Sequence, residues 1–147
     1  DFKSLGVNRA HATLLIAPDA APGPRQLRVV GGKHGLTSCR TFFVGTMPEA
    51  VEKEPNNAPD AAQPVTLPVV VNGRLDPALD IDCFAFDAKA GQKLVAAVLA
   101  HGMDSRMRTR GNNGFLDASL EVLDAGGKVI ASAEDTLGLD PAVEFTA

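Results

Sequence analysis

The apolar runs of this chain are short and closely punctuated, and that pattern restricts its fold more than any other feature. Segments rich in Val, Leu, Ile and Phe, such as HATLLIA (11–17), RQLRVVG (25–31) and SCRTFFVG (38–45), are separated by Gly, Pro, Asn and Asp. That rhythm belongs to strands joined by turns. No segment sustains a 3.6-residue apolar period, and only PDAAQP (59–64) hints at about one turn of helix. The connection APDAAPGPRQ is proline-rich, which disfavours helix there too. We therefore expect an all-β protein built as a sandwich in two pieces.

Further along, VTLPVVVNG (65–73) reads as a strand that Pro68 pushes toward an edge. DCFAFDA (82–88) alternates, with Phe84 and Phe86 on one side, and KLVAAVLA (93–100) is nearly continuous. ASLEVLD and KVIASAE flank the turn AGG as a hairpin, with Leu120 and Val122 facing in. AVEFT starts a last strand. The expected core is Phe84, Phe86, Leu94, Val95, Leu120 and Val122. Between 46 and 64 lies the polar, proline-dense segment TMPEAVEKEPNNAPDAAQP, the best place for a module boundary.

Composition excludes several classes. With 147 residues and a formal net charge of −4, the chain lacks the basic face that nucleic acid requires. No apolar run is long enough to span a membrane, and no leader pattern opens the sequence. The start DFKSLGVNRA reads as the middle of a longer, exported protein. Cys39 and Cys83 have no CxxC spacing, so zinc is not expected; they are either a disulfide or two packed thiols. His11, His34 and His101 have no partner at triad or ligand spacing, and no GxSxG or HExxH pattern occurs. Arg106, Arg108 and Arg110 alternate in the polar loop 101–114; they are read as a solvated loop ahead of a grip on an anionic polymer. Met103 and Met107 are read as loop packing. The acidic pairs have no aromatic-lined cleft around them, so no catalytic role is expected.

The segment VEKEPNNAP (51–59) is too patterned for filler. Residues two apart on an extended chain point the same way, so Glu52, Glu54 and Asn56 project together while Lys53 points away. Pro55 biases Glu54 toward the extended region. These are hard oxygen ligands, and calcium takes about six to eight of them. Asp80 and Asp82, again two apart, stand just before the CFAF strand and are the natural further donors, with Asp76 as an additional candidate. Asp82 shares parity with the inward Phe84 and Phe86, so it has to sit at the strand's end, or past a bulge, to reach a metal. The alternative is a solvated linker with an Asx-turn at Asn56–Asn57.

EKEPNNAPDAAQPV, then VNGRLDPALDIDCFAFDAKAGQKLVAAVLA, then LDASLEVLDAGGKVIASAEDTLGLDPAVEFT resemble the bacterial pre-peptidase C-terminal (PPC) domain from about Glu49 onward. The blocks E-P-N-N, D-x-D before an F-x-F strand, A-G-x-x-L, L-D-x-x-L-x-L-x-D and D-P occur in the family's order. The resemblance implies a jelly-roll-like β-sandwich appended to exported proteins and related to the collagen-binding modules of clostridial collagenases. It also implies a shared calcium site, which carried over by motif is Glu52, Glu54, Asn56, Asn57, Asp80 and Asp82. The family continues with a G-x-Y strand pair that is not present before Ala147, so a truncated module is expected. The first 45 residues are similar to the second half of a TIG-like, immunoglobulin-type repeat.

The organisation expected from these readings is a partial immunoglobulin-like module over 1–46, a linker over 47–58 and a PPC-like sandwich over 59–147. The expected role is that of a non-catalytic accessory module, secreted or at the periplasm or cell surface. Its partners would be neighbouring domains of a longer chain, and calcium would rigidify the linker. A substrate-binding module for collagen-like protein or polysaccharide is the other reading. It is disfavoured because Trp and Tyr are both zero and stacking platforms are missing.

Overall fold

A computed structural model describes residues 2–4, 10–30, 35, 39–76, 79–103 and 116–147. The chain divides into two compact units, Asp1–Thr46 and Met47–Ala147. Both are β-structured. Among the described residues the only helical elements are single 3-10 turns at Pro59–Ala61 and His101–Met103. His34, Arg106, Arg108, Arg110 and Met107 lie outside the described residues.

In the first unit, β1 (Phe2–Ser4) pairs antiparallel with β2 (Ala10–Ala12). β3 (Gly23–Leu27) pairs antiparallel with β4 (Arg40–Val44), setting Gly23 opposite Val44 and Leu27 opposite Arg40. The strand expected over 11–17 stops at Ala12, and Leu15 beyond it is 98% exposed. A turn closed by the Ala20 N–H on the Ala17 carbonyl follows, with Pro18 inside it. The strand expected over 25–31 begins earlier and ends at Leu27.

In the second unit, β5 (Glu49–Val51) and β7 (Val70–Asn72) pair in parallel, as do β6 (Gln63–Pro64) and β8 (Phe84–Ala85). β9 (Lys93–Ala97) pairs antiparallel with β12 (Ala142–Thr146), and β10 (Leu120–Leu123) with β11 (Val129–Ala133). The β10–β11 turn explains its sequence. Asp124 Oδ1 accepts the N–H groups of Gly126 (2.8 Å) and Lys128 (3.0 Å), and Gly127 takes the positive φ of 80° that glycine tolerates. Leu67–Pro68 and Glu54–Pro55 are cis peptides.

Val122 is buried, with Ala118 and Ala100, while Phe84, Leu94 and Leu120 are half-buried. Phe86 keeps an exposed edge but its ring stands 6.3 Å from that of Phe145. Val95 does not join this core: it is 68% exposed, opposite the exposed Glu144. A strand alternates, so Leu94 and Ala96 facing in force Val95 out. Val95→Thr should therefore change stability by less than about 0.5 kcal/mol, whereas Val122→Ala should cost about 2 kcal/mol in denaturant melts. Cys39 and Cys83 are free thiols, one in each unit.

Candidate metal centre

The segment leaving β5 is fastened by contacts on several sides. The Glu52 N–H donates to the Asn72 carbonyl (3.1 Å), which extends the parallel pairing by one residue. Gln63 brackets the same spot: its Oε1 accepts the Lys53 N–H (2.6 Å) and its Nε2 donates to the Val51 carbonyl (3.1 Å). The Asn56 carbonyl accepts the Cys83 N–H (2.8 Å), tying the segment to the residues just ahead of β8. β8 starts only at Phe84, so Asp82 precedes the strand and escapes its alternation. That position removes the parity conflict with Phe84 and Phe86.

These ties bring Glu52, Glu54 and Asp82 together, with one carboxylate oxygen of each within 4.8 Å of the others. Glu52 is held at both oxygens. Its Oε2 accepts the Arg74 N–H (2.7 Å) and its Oε1 accepts Asn56 Nδ2 (3.3 Å). Glu54 Oε2 accepts the Asn56 N–H (3.0 Å). Asn56 is fully buried, yet its Oδ1 has no hydrogen-bond partner. Asp82 Oδ1 is buried and unpartnered as well. A buried polar oxygen without a donor costs about 1–3 kcal/mol, so each of the two calls for an explanation.

Electrostatics point the same way. Burial pushes the Asp82 carboxyl up to about 7; a hydrogen bond shared with Glu52 and the negative charges of Glu52, Asp80 and Glu54 add to the shift. Without a positive partner, one of these carboxyls therefore keeps a proton near neutral pH.

Asn57 and Asp80 occupy a second rank. Asn57 Nδ2 donates to Asp80 Oδ1 (3.0 Å), which also accepts the Ile81 N–H (3.0 Å), while Asp80 Oδ2 accepts the Asp76 N–H (2.8 Å). Both Asp80 oxygens thus brace the loop that delivers Asp82. Asp76 enters only through its backbone.

The residues present fit a hard cation. Three carboxylates supply charge, and the amide of Asn56 already lies against Glu52. A half-turn about its Cβ–Cγ bond places Oδ1 where Nδ2 sits, giving a fourth oxygen donor. Neither histidine nor cysteine contributes to the cluster among the described residues. Sequence spacing missed Gln63 and Arg74, which reach this segment from some ten residues away or more and leave no local signal.

A second carboxylate hub, Asp140, also went unread. It is 3% exposed, and it accepts the N–H groups of Ala100 (2.9 Å), His101 (2.7 Å) and Gly102 (2.8 Å). Burial alone would raise its pKa, but these donors and the His101 charge outweigh it and hold the carboxyl below its ordinary value.

Fold and cluster together define a class: a β-rich protein whose acidic cluster is able to hold a metal ion. Comparison with family models, with curated proteins and with solved structures gives no match.

Proposed function

We propose that this chain is a non-catalytic accessory module of an exported bacterial protein, secreted or held at the periplasm or cell surface. Its second unit is read as a jelly-roll-like sandwich of the PPC type, and its first as a partial immunoglobulin-like module. Calcium binds at Glu52, Glu54 and Asp82, with Asn56 as a further donor and Asn57–Asp80 bracing the loop. The observation that carries this reading is that three carboxylates bring an oxygen each within 4.8 Å of one another, and one of them, Asp82, keeps a buried oxygen that has no donor. An all-oxygen, irregular donor set suits calcium better than zinc, which favours Cys and His.

All these residues belong to the second unit. The ion would pin residues 52–57, which follow directly on β5, to the segment entering β8. It thereby stiffens the segment just beyond the first unit, and neighbouring domains of a longer protein would be held by a firmer spacer. Binding to the folded state alone stabilises it by linkage.

Calcium is expected to raise the melting temperature of the purified protein and to give a saturable calorimetric heat, while magnesium does so only weakly. Glu54→Ala should remove both signals, and Asp80→Ala should weaken them. No heat and no thermal shift with calcium would return residues 52–57 to a solvated connection. A broad hydrolase panel is expected to show no turnover; turnover abolished by Asp80→Ala with Asp82→Ala would make the aspartates an active site instead.

A further inference from the structure

The end of β7 carries chemistry that the metal reading does not use. Asn72 is exposed, and its side-chain Nδ2 donates to Glu49 Oε2 (3.0 Å) across the parallel pair. Its backbone carbonyl is occupied by the Glu52 N–H. The next residue is Gly73, whose own N–H donates to no acceptor among the described residues. Position 73 is tight: a Cβ there would stand 3.0 Å from Glu52 Oε2 and 3.1 Å from its Cδ, so the Glu52 carboxylate would have to shift to admit one. The Glu52 carboxylate leaves little room at 73, and an asparagine at a strand end is followed by the one residue with no side chain to shield its amide nitrogen.

We propose that Asn72–Gly73 is a self-modification site. The Gly73 backbone nitrogen attacks Asn72 Cγ, a new bond forms between them, and the bond from Cγ to Nδ2 breaks. The Gly73 amide proton leaves with Nδ2 as ammonia, giving a cyclic succinimide. Water then opens the ring at either carbonyl, yielding aspartate or isoaspartate. One water enters and one ammonia leaves, with no redox change and no co-reactant.

The fold makes this event consequential. The new carboxylate faces Glu49 where an amide donor stood, so a hydrogen bond becomes a like-charge contact. Isoaspartate also inserts a methylene into the backbone between 72 and 73. That displaces Arg74, whose N–H holds Glu52 Oε2. The short β5–β7 pair loses support at both of these points. Other described asparagines differ: Asn56 is fully buried and followed by Asn57, and Asn57 is followed by Ala58, whose Cβ crowds the attacking nitrogen. The inference does not depend on whether the cluster binds calcium.

The test is ageing of the purified protein at mildly alkaline pH, beside a synthetic peptide covering residues 65–75. Peptide mapping by mass spectrometry with separation of aspartyl and isoaspartyl forms follows position 72. Strand ends open at little cost, so conversion in the folded protein should run within about tenfold of the peptide's rate. The melting temperature should fall as conversion proceeds, Asn72→Asp should show part of that fall without ageing, and Asn72→Gln should age without it. Conversion slower than that bound would show that the fold protects the site and would overturn the proposal. An equal loss of melting temperature in aged Asn72→Gln would overturn its structural consequence.

Discussion

Asp140→Ala is expected to lower folding stability by about 3 kcal/mol, read as a shift in the denaturant midpoint at unchanged slope. The carboxylate is nearly inaccessible and satisfies three successive backbone donors, those of Ala100, His101 and Gly102. Charge-assisted bonds of this kind exceed neutral ones, and their loss strands three N–H groups at the start of the 3-10 turn His101–Met103. Asp140→Asn keeps the shape but turns an NH2 toward an N–H donor, so it should recover less than half of the loss. The pH dependence has a definite sign. The folded-state pKa lies below the ordinary carboxylate value. The stabilisation is therefore complete above that ordinary value and is lost as pH falls through the lowered one. Acid titration of wild type against Asp140→Asn should show a steeper acid limb in wild type. Superimposable curves, or a loss within about 0.5 kcal/mol for the alanine variant, would remove Asp140 from its place as a hub.

The second large effect has the opposite sign. The Asp82 carboxyl is raised from 3.8 to about 7, so the metal-free folded protein holds a proton that the unfolded state gives up. That contribution is fully present below pH 3.8 and is lost as pH rises through about 7. Metal-free wild type should thus become less stable across this interval. Calcium would replace the proton, so its thermal shift should be small in mild acid and grow toward neutral pH. With calcium at roughly a hundred times its Kd, the gain would be about 2.7 kcal/mol. Asp82→Asn removes a crowded charge without removing the side chain. Without calcium it should be more stable than wild type at neutral pH, flatter with pH and insensitive to added calcium. Destabilisation of this variant at neutral pH without calcium would contradict the crowded-carboxylate account.

Several features were open to reading in the linear sequence. Short apolar runs between Gly, Pro, Asn and Asp imposed strands, because no helical face could be drawn through them. The hairpin around AGG followed from its alternation and its turn residues, and Asp124 and Gly127 behave as such residues do. Two-residue spacing singled out Glu52 and Glu54, and the acids just before a strand singled out Asp82. These signals are local, and backbone geometry alone relates residues a few positions apart.

What only the tertiary structure decided involves partners far apart in sequence. Val95 and Leu94 are equally apolar in the sequence; pairing with β12 decides which one faces in. Asp80 and Asp82 look alike by spacing, yet Asp80 is used up by Asn57, Ile81 and Asp76 while Asp82 keeps an unpartnered oxygen. Asn56 read as one of two polar neighbours, and its complete burial depends on contacts with Glu52 and Cys83. Asp140 reads as one residue of a D-P pair, but its role comes from N–H groups about 40 residues earlier. Hydrogen bonding and desolvation are set by whatever folding brings within a few ångströms, and sequence distance carries no record of that.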